Sequence, residues 1–426
     1  MKTYWVDNLR ITLDMKGLHK YIKASYPVFY GNFSEVAAGD FIYRFNYNGE
    51  VKYITGSGPG WPHPAEWLKR TVADDWVYYS TGSYYTGVVD HFGEYYQPCP
   101  SYPSNSLFKE NPFTEKGVAA AMREFVGLGS VIPDLSESLI GSRDKNLLNF
   151  LGQFSGCSPG YLRARAVRLH SILQARVSVL PPDCRHVDYD VIPLMITDGC
   201  MYNCSFCEVK TGQDLSCRPR HEIIGQLQAL REFFGPDLQN YNSVYLGQHD
   251  ALAADPEDII FAAEKAYEIL NIRGSCMQGP KLFLFGSSES FLHKKNRFWD
   301  RLNDLPFYTH VNLGLESFDE ETLKALRKPV SSKVMLQAFE RMRAINKKYV
   351  NIEITANFLL GGEFPAGHIP SIVAQIGGKD KGAAGKGCIY ISPLKGSRNT
   401  RELLAQFRAI KQKSRLQTFV YLIQRL

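Results

Sequence analysis

From residue 190 onward the chain alternates short apolar runs with longer amphipathic stretches, and that alternation leaves few folds open. The apolar runs at 190–197, 242–247, 281–286, 309–315, 351–360 and 387–392 read as buried strands. Between them, 220–234, 256–270, 290–304, 319–327, 332–347 and 366–376 carry apolar residues at helical spacing. Strand–helix repeats of this kind predict an α/β fold, a parallel sheet covered by helices. Sheets of that type carry their chemistry at the carboxyl ends of the strands. Six units fall short of the eight that close a full barrel.

The first 185 residues have a different texture. Thirteen of the 24 tyrosines lie within residues 1–100, among many Gly and Pro turns. Segments 40–47 and 51–54 alternate apolar with polar, as half-buried strands do, while 115–125, 145–154 and 161–174 look helical. This predicts an α+β accessory domain of unknown role over 1–185, ending near the Pro-Pro-Asp stretch at 181–183. A core of repeated strand–helix units then covers 186–395 and a basic helical segment 396–426. The loop Asp90-His91-Phe92-Gly93 lacks the spacing of the Asp-x-His-x-x-Gly loop that holds cobalamin.

A chain of 426 residues, 44% hydrophobic and 22% charged, has the composition of a globular protein of two or three domains. No apolar run approaches the roughly 18–20 residues of a transmembrane segment. The beginning, Met-Lys-Thr-Tyr-Trp-Val-Asp, has no apolar signal region. A cytoplasmic location is expected. The net charge of +6 is mild. Part of it lies at the end, where Arg401, Arg408, Lys411, Lys413, Arg415 and Arg425 face a single acid, Glu402. Such a stretch is a solvated helix face or a site for RNA phosphate or an acidic lipid headgroup.

Of nine cysteines, six are scattered singly (Cys99, Cys157, Cys184, Cys217, Cys276 and Cys388) and read as small buried hydrophobes, with an auxiliary cluster as the sharper alternative. The other three form Cys200-Met-Tyr-Asn-Cys204-Ser-Phe-Cys207, just after the first predicted strand of the core. A closed zinc site wants four ligands, and neither Cys184 nor Cys217 makes a second knuckle. A disulfide would strand the third thiol. Bacterial ferredoxin runs supply a fourth thiolate, which is missing here. Three thiolates on one tight loop can hold three irons of a [4Fe–4S] cube and leave the fourth open for a substrate or cofactor.

This triplet, with Phe206 before its last cysteine, resembles the signature of the radical S-adenosylmethionine (radical SAM) superfamily, over roughly 190–395. The resemblance implies a partial (β/α)6 TIM-like barrel, a [4Fe–4S] cluster on Cys200, Cys204 and Cys207, and SAM on the open iron with Phe206 against its adenine. It also implies further contacts. After the second strand, Gly247-Gln248-His249-Asp250 stands where the family has a Gly-Gly-Glu-Pro turn. The carbonyls of this turn and Asp250 would then meet the methionyl ammonium. Ser287 at the third strand end would suit ribose, or a helix N-cap. The segment from Val311 to Lys328 is similar to the Gly-Leu-Glu-Ser branch, which contains methylthiotransferases, elongator-type enzymes and coproporphyrinogen dehydrogenase. It nominates Glu316 and Ser317 as SAM contacts, and Arg327 or Lys328 as partner of the methionyl carboxylate. Asn357 and Gly361, with Gly362, correspond to the glycine turn near adenine, and Tyr390 or Ser392 to a substrate-facing end.

The implied activity is reductive cleavage of SAM to a 5′-deoxyadenosyl radical that abstracts hydrogen from a substrate. A low-potential donor such as ferredoxin or flavodoxin would supply the electron. A small-molecule or lipid-like substrate is the first reading, with the aromatic amino-terminal region over the barrel mouth. A tRNA- or RNA-modifying enzyme is the second, and a non-catalytic iron–sulfur carrier or scaffold a third.

Overall fold

The computed structural model describes residues 1–21, 29–64, 66–79, 112–138, 144–175, 190–207, 213–361, 363–378, 386–394 and 400–420. Cys99, Cys184, Gly362, segment 90–93 and the boundary at 181–183 lie outside them.

Two large sheets organise the chain. The first is an antiparallel meander in chain order: β1 (Lys2–Val6), β2 (Leu9–Lys16), β3 (Asn32–Ala38), β4 (Phe41–Phe45), β5 (Val51–Gly56), β6 (Trp67–Arg70) and β7 (Trp76–Tyr79). Tyr43, Phe45, Ile54 and Leu68 pack against Val118, Phe125, Phe150 and Phe154 of helices Lys116–Ser138 and Lys145–Ser155. The third helix, Pro159–Leu173, is capped by Ser158, which accepts from the Tyr161 N–H.

The second sheet is parallel. Its strands are β8 (Val191–Met195), then, after a small antiparallel pair of β9 (Thr197–Asp198) and β10 (Ser216–Cys217), β11 (Ser243–Gly247), β12 (Lys281–Gly286), β13 (Tyr308–Glu316), β14 (Ile352–Leu360), β15 (Ile389–Pro393) and β16 (Thr418–Val420). Spatial order follows chain order, as in a barrel built one β–α unit at a time. All six strands expected from the apolar runs are present. The segment beyond 396 is more than a helix. After helix Thr400–Lys413 buries Leu403, Phe407 and Ile410, the three residues of β16 pair with β15 as a seventh strand. Arg408, Lys413 and Arg415 are exposed, as a solvated face would have them.

The helix expected over 290–304 is two, Ser288–His293 and Asn296–Asp304. Lys294 and Lys295 between them are extended, and the Lys294 ammonium donates to the Ala254 carbonyl at 2.6 Å.

Residues of the parallel sheet alternate strictly between two environments. Val244, Leu246, Leu282, Leu284, Val311 and Leu313 face the helices and are fully buried. The opposite, inner face carries Tyr245, Phe283, His310, Asn312, Glu353 and Thr355, joined by ring contacts and hydrogen bonds.

The amino-terminal sheet docks at the amino ends of these strands. Lys52 and Lys69 pair with Asp190, immediately before β8. Before β11, the Asn32 N–H donates to Asn240 Oδ1 at 2.7 Å, and Asn46 Nδ2 to Asp237 at 3.1 Å. Before β12, the Gln278 N–H donates to the His19 carbonyl at 2.6 Å. The described strands of the first 185 residues therefore dock at the end of the barrel opposite the cysteine loop, while helix Pro159–Leu173 ends near the root of that loop, where Arg218 Nη1 donates to the Leu173 carbonyl at 2.8 Å. The described aromatic residues of this region fill two cores, one beneath helices and one against the barrel, rather than the mouth; Tyr84, Tyr85, Tyr95 and Tyr96 lie outside the described residues.

Candidate functional site

The cysteine loop leaves the carboxyl end of β8. The Ile196 N–H donates to the Gly247 carbonyl at 2.8 Å, holding the loop root against β11. The chain turns at Gly199 (φ +72°), where a Cβ would sit 2.3 Å from the Asp214 carbonyl, so this tight reversal requires glycine. Cys200, Cys204 and Cys207 follow on one short turn. It is pinned by the Ser205 N–H donating to the Leu326 carbonyl at 2.9 Å and the Cys207 N–H to the Cys204 carbonyl at 3.3 Å. Cys204 is buried, while Cys200, Phe206 and Cys207 are half-buried. Burial pushes the Cys204 thiol up to about 11, against the pull of the Lys328 ammonium. Cys200 shifts upward for the same reason, with the Asp250 carboxylate adding to it.

Around this turn stand three buried ionisable groups. Glu316 closes β13 with φ +67°, at a register break between Gly314 and Glu316. Left-handed backbone at a glutamate is a strained choice that points its side chain inward. Its carboxylate lies 3.5 Å from Lys328 Nζ. Burial raises the Glu316 carboxyl, and Lys328 opposes that. Gly314 makes room: a Cβ there would sit 2.6 Å from Glu316 Oε1. Arg327 is exposed, so of the two cations Lys328 faces the site.

The Lys328 ammonium also lies 5.4 Å from the ring of Tyr202, inside the cysteine loop. The Tyr202 hydroxyl donates to Glu289 at 2.7 Å, tying the loop to the helix after β12. Tyr202 and Glu289 escape a reading of the motif alone, which fixes attention on the cysteines and the residue before the last one. A tyrosine between two of the cysteines was the signal available.

The turn after β11 differs from its expected use. The Gly247 carbonyl accepts from Ile196 N–H and Thr197 Oγ1, and the Gln248 carbonyl from the Tyr245 hydroxyl at 2.8 Å. Both carbonyls therefore already have partners within the protein. His249 is half-buried on the same turn. Asp250 is the informative member. Its Oδ1 accepts from the Ser287 N–H at 3.0 Å and Ser290 Oγ at 2.6 Å, while Oδ2 is buried with no hydrogen-bond partner. Burial raises its carboxyl.

Two expected SAM contacts have structural duties. Ser287 is the N-cap of helix Ser288–His293, in a reciprocal capping box with Ser290. Ser317 accepts from the Asp319 N–H at 3.0 Å and lies 2.9 Å from His368 Nδ1. Since His368 Nε2 sits 3.0 Å from the Leu359 carbonyl, the network assigns the proton to Nε2, and Ser317 donates to Nδ1. Burial lowers His368, favouring this neutral form. Asn357 lies deeper, on the inner face of β14, paired with Asn312. Gly361 follows β14 with φ +80°, a conformation suited to glycine.

Among the described residues, no three His, Cys, Asp or Glu side chains converge on a single-ion site. The donor set fits an iron–sulfur cube instead. Three thiols share one turn, and a buried carboxylate oxygen without a partner faces the same end of the barrel.

A three-cysteine loop at the carboxyl end of the first strand of a partial parallel barrel defines a class of iron–sulfur enzymes. Residues 194–366 match the family model of the radical SAM superfamily, so the chain carries a radical SAM domain over them. Enzymes of this superfamily use a [4Fe–4S] cluster and SAM. No curated protein matches. Solved structures it resembles include the radical SAM methyltransferase TsrM from Kitasatospora setae (14% identity, 48% of this chain, 37% of that one, TM-score 0.32). Others are a radical SAM methyltransferase from Sphaerobacter thermophilus (14%, 55% and 66%, 0.36) and coproporphyrinogen III oxidase from Escherichia coli (11%, 58% and 50%, 0.33). The chain thus spans little more than a third of TsrM. These likenesses are too distant to bear on substrate or reaction. No described helix is long and apolar enough to cross a membrane.

Proposed function

We propose that this protein is a radical SAM enzyme that reductively cleaves SAM and abstracts a hydrogen atom from a small molecule held inside the barrel. The observation that carries this reading is the cysteine triplet at the strand ends, surrounded by buried Asp250, Glu316 and Lys328. When bound, the cluster and SAM supply a one-electron cleavage that yields a 5′-deoxyadenosyl radical. Cys200, Cys204 and Cys207 would each hold one iron, and Phe206 would flank the adenine. The unpartnered oxygen of Asp250 suits an ammonium donor. Lys328 suits a carboxylate, and Glu316 keeps that ammonium aimed. Gly361 lets backbone approach the base. The reductant would be a low-potential electron carrier of the ferredoxin or flavodoxin kind.

The test is electron paramagnetic resonance of anaerobically reconstituted, dithionite-reduced protein with and without SAM, with 5′-deoxyadenosine quantified alongside. A reduced-cluster signal that shifts on SAM addition, together with 5′-deoxyadenosine, is expected. A signal indifferent to SAM would favour an iron–sulfur carrier, and zinc in place of iron would remove the basis of the proposal.

A further inference from the structure

Past the strand beginnings, each strand from β12 to β15 keeps one residue that is not buried: Phe285, Gly314, Asn357 and Ser392. The pairing register places them on the inner face. Phe285 is opposite Asn312, Gly314 opposite Asn357, and Asn357 opposite Tyr390, two residues before Ser392 on the same side. Deeper on that face the barrel is closed. Phe283 stacks on His310 at 5.0 Å, and Glu353 beside them accepts from the Gly387 N–H at 3.1 Å. The open part is therefore a shallow cup. Its floor begins at Gly314, two residues before Glu316 on β13, whose carboxylate reaches back over it.

Away from Gly314, the side chains of that floor are uncharged. Asn357 Nδ2 donates to Asn312 Oδ1 at 2.8 Å, and Asn312 Nδ2 to Asn357 Oδ1 at 3.2 Å and Thr355 Oγ1 at 2.8 Å. That network fixes the Asn357 amide plane while leaving it a second N–H and a carbonyl lone pair to offer. Ser392 adds a hydroxyl from the next strand. Phe285 supplies an apolar wall, its ring 5.9 Å from that of Tyr245. The Glu316–Lys328 pair borders the floor at Gly314, where a Cβ would lie 2.6 Å from Glu316 Oε1 and 3.7 Å from Lys328 Nζ, and the His310–Glu353 contact lies below it.

We propose that this floor selects the substrate, and that the group seated on it is neutral and both donates and accepts hydrogen bonds: an amide or hydroxyl on an aliphatic carbon resting against Phe285. This rests on the radical SAM reading and narrows it. A hydrocarbon chain would strand the polar groups of Asn357 and Ser392, which costs more than an unmade contact. An ion would find the nearest charges, Glu316 and Lys328, already paired with each other.

The test uses the full chain loaded with cluster and SAM, unreduced, and saturation-transfer NMR with three probes: N-acetylalanine methylamide, myo-inositol and octanoate. Contact is expected for the amide, the polyol or both, which tells the two sources apart, and none for octanoate. Asn357→Leu should weaken the polar contact at least tenfold. Ser392→Ala, a smaller change that guards against misfolding of the first variant, should weaken it several-fold. Octanoate binding in preference to both polar probes, no binding of either polar probe, or undiminished binding by both variants would overturn the proposal. The SAM-induced shift of the reduced cluster reports separately: its presence with octanoate preferred sinks the substrate class alone, and its absence sinks the radical SAM reading first.

Discussion

The two ends of the parallel barrel bury acids in opposite ways. At the amino end, Asp190 is held by the ammoniums of Lys52 and Lys69, and its N–H donates to the Tyr21 hydroxyl at 3.1 Å. Burial alone would raise its carboxyl, but the two lysines outweigh that and hold it below its usual range. At the carboxyl end, Asp250 and Glu316 are raised by burial, one with an oxygen left over and the other on strained backbone. A fully matched charge cluster is a joint between the two sheets. An under-matched one, in the same fold, is a place awaiting a ligand of complementary charge.

The comparison can be broken at either end. The largest effect is expected from Cys204→Ala, which should abolish 5′-deoxyadenosine formation and cut iron content while leaving thermal unfolding of the apoprotein nearly unchanged. Asp190→Ala should do the reverse, costing about 3–5 kcal/mol in chemical denaturation because two buried ammoniums lose their partner. Gly314→Ala should raise the SAM concentration for half-saturation about tenfold by pushing Glu316 away from Lys328, an effect of ~1.4 kcal/mol.

A pH experiment sharpens the contrast within the amino end. Burial raises the Asp237 carboxyl to about 6, with Lys52, Asn240 and the Tyr47 N–H opposing. A carboxyl raised in the folded state contributes stability that is full below its unfolded value and lost as pH climbs. Stability should therefore fall between about pH 4 and 6, and Asp237→Asn should flatten that slope in denaturation series. The smallest effect belongs to Tyr202→Phe. Losing one hydrogen bond to Glu289 should slow SAM cleavage only several-fold, within the ~0.5–1.5 kcal/mol such a bond contributes. The same rate in Glu289→Gln as in wild type would show that the acceptor, and not its charge, matters.

How much was legible in the sequence follows from what periodicity can see. The six longer strands of the barrel announce themselves as apolar runs. β16 does not, because three residues carry no period. In the amino-terminal sheet, β4 and β5 were both legible from their alternation, although β5 is buried at every position, Lys52 included, rather than half-buried. The cysteines were legible because their spacing is local. The N-cap duty of Ser287 was one of the two readings its local sequence allowed, whereas that of Ser317 was hidden, since it is settled by His368, brought close only by the fold. Lys328 over Arg327 was likewise a question of burial, which two adjacent cations do not reveal in sequence.

The left-handed backbone at Glu316 has one more consequence. The main chain sets the direction of the Cα–Cβ bond, and burial with the Lys328 contact holds the carboxylate at its end, so its ordering is already complete when the protein folds. An incoming guest then meets a carboxylate that needs no rearrangement, and the affinity it gains there is not diluted by the entropy of freezing a flexible arm.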